Sequence, residues 1–580
     1  MTPIMLTLTH LVITKKNLVW VSLFAFGLSQ QLFTGSPQMV LLTLLVIGVY
    51  AVVTLYRQDL ALSFSTVGRV TLGVVLGVGI AAIQLLPSAE MLRESVFPGG
   101  FSPEEASYYS FPLVHLKTLI APFALGNPKM GTYPPFTTFD GSIFWENNVF
   151  IGLLPIALLF LGFTRPGLAW QGLASRRFHL AIFLAIAIAA SFLFMLGKYS
   201  PVYLFYSVWP LNLFRVASRF AWIFLITIVT TASWSLTSFL RQQRRGWITA
   251  LATIVIALHT YQLITTWWDY HAIVPARLWL TPTPFIEEIK KNEGSVRTIG
   301  SELVHNKQFL KAGWNGKLDR YRFLTNAAAP NSNLYWDIRQ TDVYAGRFLK
   351  RPSLVESLMG SEIKSSDSIA TISAQGTRLL DLYHAATIVS AIPLDMEKSL
   401  PIVNTTRSAD LTITAYRNPD AIHRAYLATQ PIVAPTFSKA AESLKNPTFI
   451  PGVSVLIHDQ SLLREPLDSE DSGGRGTVEI TREGQTRVTM RADVRATRTI
   501  LVFGDTYYPG WQATIDGQPT KIFPVNIKER GILISGGVHE IVWQYQPKSV
   551  AVGAWISGIT IIIALLLLFF SGRHVSGKQE

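Results

Sequence analysis

The residues best suited to chemistry are carboxylates between two long apolar segments. Residues 88–148 separate these segments and include Asp140 and Glu146, which lie close to Trp145 and just before the second apolar segment. Partial burial at such a boundary suits a carboxylate to general-base catalysis. We therefore take Asp140 and Glu146 as candidate catalytic residues. The alternative for each is an ordinary solvated loop charge.

A pair of arginines follows in a second aromatic segment, residues 200–219. Arg215 and Arg219 are four residues apart, so a helix would place them on one face. Two guanidinium groups match the oxygens of a phosphate, which makes the pair a candidate binding site for a lipid phosphate. The alternative is aromatic anchoring at a membrane boundary, with arginines that extend to the headgroups. Pro210 predicts an interruption of the helix.

Four more residues complete the predicted site. Trp145 offers an aromatic face, Glu90 and Arg93 open the long loop, and Asp269 ends another apolar segment. We assign these four residues to substrate binding. The chain has no H-E-x-x-H, no Walker loop, no G-x-S-x-G and no ligand cluster at metal spacing. The cofactor is therefore unknown, with a divalent cation as one candidate.

Membrane helices are the elements that must position these residues. Hydrophobic residues make up 49% of the chain and charged residues only 15%. A transmembrane helix needs about 20 apolar residues, and eight segments approach this length. They are residues 18–33, 37–56, 67–86, 149–163, 178–197, 220–240, 246–268 and 549–570.

Basic residues give the predicted spans a direction. Lys15, Arg57 and the other basic loop residues fall on one side when all eight segments span, and this side is then cytoplasmic. Both termini are cytoplasmic in this arrangement, while residues 88–148 and 269–548 face outward. We expect a multi-pass protein of the bacterial cell (inner) membrane with a large soluble region outside.

The soluble region changes its pattern at about residue 427. Helix and strand patterns mix before this point, whereas apolar and polar residues alternate after it. Asp516-Gly517 and Gly536-Gly537 are hairpin signals. The predicted architecture is a polytopic α-helical membrane domain at 1–268 with outer loop 88–148, an outer mixed α/β domain at 269–427, an outer β-sandwich at 428–547, and a final transmembrane helix with cytoplasmic tail at 548–580.

The charge pattern excludes several function classes. The net charge of +13 suits topogenic basic residues and attraction to anionic membrane lipid. Nucleic-acid binding is not expected, because no basic run is interleaved with aromatic residues. The predicted spans contain no Asp or Glu, which argues against an ion-coupled transporter. The absence of cysteine excludes disulfides and thiolate metal sites.

Several motifs resemble the YfhO-type family of large bacterial membrane proteins. They are Gln84-Leu-Leu-Pro87, Thr118-Leu-Ile-Ala-Pro122 with Gly126, Leu213-Phe-Arg215-Val-Ala-Ser-Arg219-Phe, Ala329-Pro-Asn-Ser-Asn333, Arg417-Asn-Pro-Asp-Ala-Ile-His-Arg424 and, most specific, Asp505-Thr-Tyr-Tyr-Pro-Gly-Trp511. The resemblance implies the C-type glycosyltransferase superfold, with an active site at the outer face. It also implies a polyprenyl-phosphate-linked sugar as donor and an envelope glycopolymer as acceptor.

One departure from this superfold concerns the start of the chain. Such proteins usually begin with further spans around an acidic first outer loop, whereas the seventeen residues before Leu18 contain no Asp or Glu. We expect an N-terminally short relative, in which either the 88–148 loop supplies the acid or a separate subunit supplies the spans. The alternative function is a non-catalytic envelope scaffold or glycan-binding protein, and a transporter is the third hypothesis.

Overall fold

The structure is a computed structural model of the chain, and contacts divide it into two compact units. The first unit comprises Met1–Leu92, Phe97–Ala272 and Ser549–Glu580, and the second comprises Arg93–Val96 and Ile273–Lys548. The described residues are 1–15, 17–57, 64–135, 138, 143–164, 176–243, 245–271, 273–292, 294–301, 304, 311–314, 324–342, 349–366, 368–396, 400–408, 411–463 and 475–576.

The first unit is helical. Its α-helices are α1 (Thr2–Lys15), α2 (Leu18–Phe33), α3 (Pro37–Arg57), α4 (Phe64–Ile80), α5 (Ala82–Arg93), α6 (Pro103–Ala106), α7 (Phe144–Asn147), α8 (Leu153–Thr164), α9 (Arg176–Met195), α10 (Ala221–Gln243) and α11 (Gly246–Trp267). The last helix of the chain, Lys548–Ser576, also packs in this unit. Short 3-10 helices lie at Leu113–Leu119, Pro128–Met130, Gly197–Tyr199, Pro201–Ser207, Leu211–Leu213 and Ala217–Phe220.

Each of the eight predicted spans contains a helix, but not all of these helices are long enough to cross a membrane. Among the described residues, four are long and apolar enough, or five if the bent pair α4–α5 is one span. Three other apolar helices are shorter, at Leu18–Phe33, Leu153–Gly162 and Ala181–Met195. The apolar helices place the protein in or at a membrane, because their surfaces suit lipid rather than water.

The α1 helix is an addition to the predicted elements. No helix is predicted before Leu18, but Thr2–Lys15 form one. Its Thr2 hydroxyl lies 2.8 Å from that of Thr43, and His10 Nδ1 lies 2.8 Å from the Tyr50 hydroxyl. The contacts advance together along both helices, so α1 runs parallel to α3.

The break between α4 and α5 explains why one predicted span is bent by 75°. The Ile83 N–H would bond to the Gly79 carbonyl in a continuous helix, but it donates to Ser557 Oγ at 3.0 Å. The Ser557 hydroxyl then donates to the Gly79 carbonyl at 3.3 Å. A hydroxyl inserted into the hydrogen-bond ladder bends the helix. The predicted end of the 67–86 segment, just before Pro87, is wrong, since α5 continues through Pro87 to Arg93.

We expect Gly553→Ala to lower the stability of the first unit, because this glycine touches the bend directly. A Cβ at Gly553 would lie 2.7 Å from the Ala82 carbonyl oxygen and 2.8 Å from Ile83 Cα. Forcing backbone apart in a packed interface costs about 1–3 kcal/mol. Thermal unfolding in detergent would measure the change. Gly558→Ala in the same helix is the matched control, since nothing lies within 4 Å of its Cβ; equal melting temperatures for both variants would contradict this packing.

Within the described residues, the second unit contains β-sheets and short helices. One sheet has the order β1-β4-β7-β6, another has β2-β3-β5, and a nine-stranded sheet contains β8 to β16. The strands are β1 (Ser295–Ile299), β2 (Ile363–Ser365), β3 (Ala370–Ile372), β4 (Ala385–Ser390), β5 (Leu394–Met396), β6 (Ile402–Ser408), β7 (Leu411–Arg417), β8 (Ala425–Ala428), β9 (Gln430–Val433), β10 (Ser454–Ile457), β11 (Gly476–Glu483), β12 (Arg487–Phe503), β13 (Trp511–Ile515), β14 (Gln518–Thr520), β15 (Phe523–Val525) and β16 (Glu529–Tyr545). The helices are α12 (Ala276–Leu280), α13 (Pro284–Lys290), α14 (Lys350–Glu362), α15 (Ala374–Leu382) and α16 (Phe437–Lys445), followed by α17 (Lys548–Ser576).

The predicted β-sandwich is a single nine-stranded sheet with two 17-residue strands at its centre, β12 and β16. Their pairing shifts register between Val494 and Arg498, opposite Gly536 and Gly537. Both ends of β12 and β16 contribute to one buried core that includes Met490, Phe503 and Trp543. The Gly536-Gly537 hairpin is therefore wrong, since these glycines lie inside β16 at the bulge. Asp516-Gly517 does form a hairpin turn, between β13 and β14.

Inside the second unit, a buried polar network links the residues just before β4 and just after β15 to β8 and β16. Glu529 is fully buried and accepts a hydrogen bond from Asn526 Nδ2 at 2.9 Å, while His384 Nε2 lies 2.9 Å from its other oxygen. Asn526 also donates to the Tyr426 hydroxyl at 2.8 Å, and the Tyr383 hydroxyl donates to the Asn526 carbonyl at 3.0 Å. His384 and Asn526 both have positive φ angles, 64° and 45°, so side-chain bonds hold backbone that non-glycine residues rarely adopt.

Candidate functional site

The candidate site of the first unit centres on an ion pair between two of the predicted residues. Arg219 Nη2 donates to Glu146 Oε1 at 2.8 Å, and Arg219 Nε donates to Glu146 Oε2 at 3.2 Å. Arg219 Nη1 donates to Gln38 Oε1 at 3.0 Å. The Gln38 amide in turn donates to the Val216 carbonyl at 2.8 Å. A two-point arginine–carboxylate pair fixes both groups in direction as well as distance, so this cluster is rigidly oriented.

Arg215 lies apart from this ion pair. The structure has no helix at residues 214–216 and a 3-10 turn at Ala217–Phe220, so Arg215 and Arg219 do not share a helical face. The Arg215 guanidinium lies over the Tyr109 ring, 5.6 Å from its centroid. Among the described residues, no carboxylate lies within ion-pair distance of it. Its charge is therefore available for an anionic ligand, which is the role that the sequence predicts.

The elements around these residues are held by hydrogen bonds between the loop and the neighbouring turns. The Ser218 N–H donates to the Tyr109 carbonyl at 2.9 Å, and Asn147 Nδ2 donates to the Ser110 carbonyl at 3.2 Å. Ser218 and Asn147 are fully buried. Within the described part of the chain, no partner reaches Ser218 Oγ or Asn147 Oδ1. Ser218 precedes Arg219 in the chain, and Asn147 follows Glu146. Their two oxygen atoms are therefore suited to bind water or a polar ligand group.

The described residues of the 97–148 loop pack around a core of their own. Burial lowers the pKa of His115 to about 4, so this side chain is neutral at pH 7. Its Nε2 lies 3.2 Å from the Tyr133 hydroxyl. The rings of Phe123, Phe144 and Tyr270 stack with centroids 5.7–6.0 Å apart. Burial raises the pKa of Tyr270 to about 12. This aromatic cluster joins the loop to the end of α11.

Asp269 is engaged at the same end of α11. Lys129 Nζ donates to the Asp269 carboxylate and to its backbone carbonyl, both at 2.7 Å. The hydrogen bond from Lys129 lowers the pKa of Asp269. The Asp269 side chain is 76% exposed, and no described bond joins it to Glu146 or Arg219. Asp269 therefore ties the loop to α11, which is a simpler role than the predicted substrate binding.

An apolar cavity of about 340 Å³ lies between α1, α3, α9 and α10. Its lining includes Leu6, Val46, Phe183 and Trp222, and the His10–Tyr50 pair adds polar groups to it. None of its lining residues belongs to the 88–148 loop. Trp222 is three residues beyond Arg219, and Val46 is two turns beyond Gln38 along α3. The cavity therefore begins about one turn from Arg219 and extends away from it along α10, and Gln38, Glu146, Arg215 and Arg219 do not line it.

The remaining predicted residues are scattered. Asp140 lies outside the described residues. Trp145 is 57% exposed beside Glu146. Glu90 and Arg93 are on the last turn of α5, and no described bond joins them to Glu146 or Arg219. Arg93 is counted with the second unit.

Sequence reasoning missed several partners of the predicted residues. Gln38 orients Arg219, and Tyr109 underlies Arg215. Gln38 carries a sequence signal, because it is a polar residue at the start of an apolar segment. Tyr109 carries none, since aromatic residues are frequent throughout that loop. Lys129 is one of several loop cations, and only the structure selects it.

Comparisons with known proteins add no relative: no family model, no curated protein and no solved structure matches the chain. Within the described residues, no group of three or more His, Asp or Glu side chains is arranged to hold a metal ion.

Proposed function

We propose that the first unit binds a polyprenyl-phosphate-linked sugar and transfers the sugar to an envelope acceptor at the outer face of a bacterial inner membrane. In this proposal all eight predicted segments lie in the bilayer. The proposal rests on a half-buried Arg215 without a carboxylate partner among the described residues, together with an apolar cavity whose lining on α10 begins at Trp222, three residues beyond Arg219. A lipid phosphate needs both features, since its chain requires an apolar surface and its head requires a cation.

The groups around this head would divide the chemistry between them. Arg215 would hold the phosphate and stabilise the charge that develops as it leaves. Arg219 has five N–H donors and uses three of them on Glu146 and Gln38, so two remain for phosphate oxygens. Glu146 accepts one bond at each oxygen, which leaves lone pairs that can take the proton of an acceptor hydroxyl.

Binding by the purified full chain in detergent is the test. Wild-type protein is titrated with polyprenyl phosphate and with polyprenyl-phosphate hexoses, and transfer is followed with a glycopolymer acceptor. We expect Arg215→Ala to weaken lipid-phosphate binding by about 10-fold or more, since a charge-assisted bond is lost. Lys198→Ala is the matched control, because it removes an equal charge from the same outer segment without touching Arg215.

A second variant tests the cavity separately from the arginine that binds the lipid phosphate. Ile226 lines the cavity, so Ile226→Trp fills part of its volume. We expect this variant to weaken binding of long-chain lipid phosphate while binding of a short-chain analogue is unchanged. Arg215→Ala should weaken both ligands. Equal affinities of wild type and both variants for every carrier lipid would refute the lipid-phosphate site.

The alternative is a non-catalytic envelope scaffold, and one observation favours it. Glu146 is already held by two bonds from Arg219, as in an ion pair that stabilises structure. Binding of carrier lipid without any transfer would indicate a protein that acts together with a subunit supplying further spans. Absence of binding to any carrier lipid would favour the scaffold.

A further inference from the structure

The second unit contains two cations that gather at one aromatic ring without a matching carboxylate. Lys350 Nζ lies 5.4 Å and the Arg351 guanidinium carbon 5.6 Å from the centroid of the Phe437 ring. Arg351 also lies 5.4 Å from the centroid of the Tyr507 ring. Among the described residues, no carboxylate comes within ion-pair distance of either cation.

Two other half-buried arginines of this unit are paired with carboxylates. Arg297 is held by both oxygens of Glu356, at 2.8 and 3.0 Å. Arg424 is held by Glu483 and Asp505. Buried or half-buried cations are ordinarily paired, because an unpaired charge loses hydration without compensation. Among the described residues, Arg351 therefore lacks the carboxylate partner that Arg297 and Arg424 each have.

The single contact that fixes Arg351 leaves most of its donors unused. Its Nη1 donates to the Ile527 carbonyl at 2.7 Å, and a guanidinium has five N–H donors. Burial lowers the pKa of Arg351, and the nearby Tyr507 and Glu94 oppose this effect. The Glu94 side chain is exposed. The rings and the Ile527 carbonyl thus orient the guanidinium, but they do not neutralise it.

A third nitrogen at this ring is also unsatisfied. The His458 ring lies 5.6 Å from the Phe437 ring, and its Nδ1 donates to the Ala434 carbonyl at 2.8 Å. Its Nε2 is buried and has no hydrogen-bond partner among the described residues. Buried polar atoms without partners are rare and call for an explanation. Burial lowers the pKa of His458, and the charge of Arg351 lowers it further. The neutral ring therefore presents Nε2 as an acceptor, which can take a hydrogen bond from the hydroxyl of a monoprotonated phosphate.

We propose that Arg351, Lys350 and His458 form a binding site for a phosphate group on the second unit. An arginine fork and an ammonium from one helix can donate to several oxygens of a phosphate. The imidazole that follows β10 can accept from a phosphate hydroxyl, a donor that a carboxylate ligand does not have. The aromatic rings of Phe437 and Tyr507 keep the cations in place. The phosphate belongs either to a soluble phosphoester or to a lipid headgroup, and the site is independent of the transfer proposed for the first unit.

Calorimetric titration of the full chain in neutral detergent tests this site, with inorganic phosphate and with a short-chain phosphatidylglycerol as probes. We expect saturable binding that Arg351→Gln weakens by about 10-fold or more. Arg351 also bonds to Ile527, so Lys350→Gln serves as a second variant; its side chain is exposed, and a loss of several-fold is expected. Lys364→Gln, an exposed charge on β2, is the matched control and should bind as wild type.

The two probes distinguish the sources of the phosphate. Tighter binding of the lipid would assign a headgroup, and equal or tighter binding of inorganic phosphate would assign a soluble ligand; either supports the site. Absence of saturable binding of both probes would overturn it, as would equal losses in Lys350→Gln and Lys364→Gln. Because Arg215 is unchanged in these variants, binding of polyprenyl phosphate to the first unit is measured in parallel and should not change.

Discussion

Glu146→Gln should retain lipid-phosphate binding and lose sugar transfer by about 10²- to 10⁴-fold, the usual contribution of a general base. The amide keeps the size of the carboxylate and one acceptor oxygen for Arg219, so the site stays assembled. It cannot take a proton from an acceptor hydroxyl, which is the step assigned to Glu146. The measurement is single-turnover transfer from a bound polyprenyl-phosphate hexose.

A structural role for Glu146 would give a different pattern, which makes the result decisive. If the ion pair serves only to hold the fold, Glu146→Gln should lower the melting temperature together with binding and transfer. Gln38→Leu provides the comparison, since it removes one bond that orients Arg219 without removing the proposed base. We expect Gln38→Leu to reduce transfer less than Glu146→Gln. Unchanged transfer in Glu146→Gln at wild-type stability would rule out Glu146 as the base.

Glu529→Ala should destabilise the second unit by about 3–5 kcal/mol, the cost of breaking a buried charged network on one side. The fully buried carboxylate faces Asn526 Nδ2 and His384 Nε2, both at 2.9 Å. Removing it leaves these two groups without a partner and the positive φ angles of His384 and Asn526 without support. Chemical denaturation followed by tryptophan fluorescence would measure the loss, because Trp543 is buried in the core of the same sheet.

Glu529→Gln should lower the free energy of unfolding by much less, about 1 kcal/mol, because a glutamine can still bond to His384. His384 Nδ1 lies 3.2 Å from the Ile422 carbonyl, so Nδ1 carries a proton and donates. The Nε2 atom of His384 can then form a hydrogen bond with the Glu529 carboxyl group only if an additional proton lies on Nε2 or on the carboxyl group. A glutamine can donate to a neutral Nε2 and still accept from Asn526. Glu540→Ala, at an exposed residue of the same strand, is the control and should stay within about 0.5 kcal/mol of wild type. A glutamine variant as unstable as the alanine variant would contradict this arrangement.

The elements of the chain follow from local pattern in most places. The apolar segments form helices because a continuous apolar surface is stable in lipid with all backbone groups bonded internally. Apolar and polar residues alternate around Ile541 and Trp543, and both side chains are buried in the core. This follows because successive side chains of a strand point to opposite faces of the sheet. The Asp516-Gly517 turn follows from two residues that tolerate positive φ.

The same local reasoning fails where a distant group competes with the local preference. Pro87 does not end its helix, since the break occurs earlier, where Ser557 enters the ladder from a helix more than 400 residues away. Gly536-Gly537 does not turn the chain, because the register shift in β12 places these glycines opposite a bulge. A glycine pair has the same local properties in a hairpin and in a bent strand, so only the partner strand decides.

The sequence by itself determined which residue types lie at the boundary of the apolar helices. Glu146, Arg215 and Arg219 lie there because charged side chains are unfavourable inside apolar segments. Their pairing was decided by tertiary structure. The pattern predicts two arginines side by side on a helix, yet Arg219 binds Glu146 and Arg215 lies over Tyr109. Ion pairs depend on distance in space and not on spacing along the chain. Neither the carboxylate 73 residues before Arg219 nor the cavity that begins at Trp222 is predicted by any local spacing.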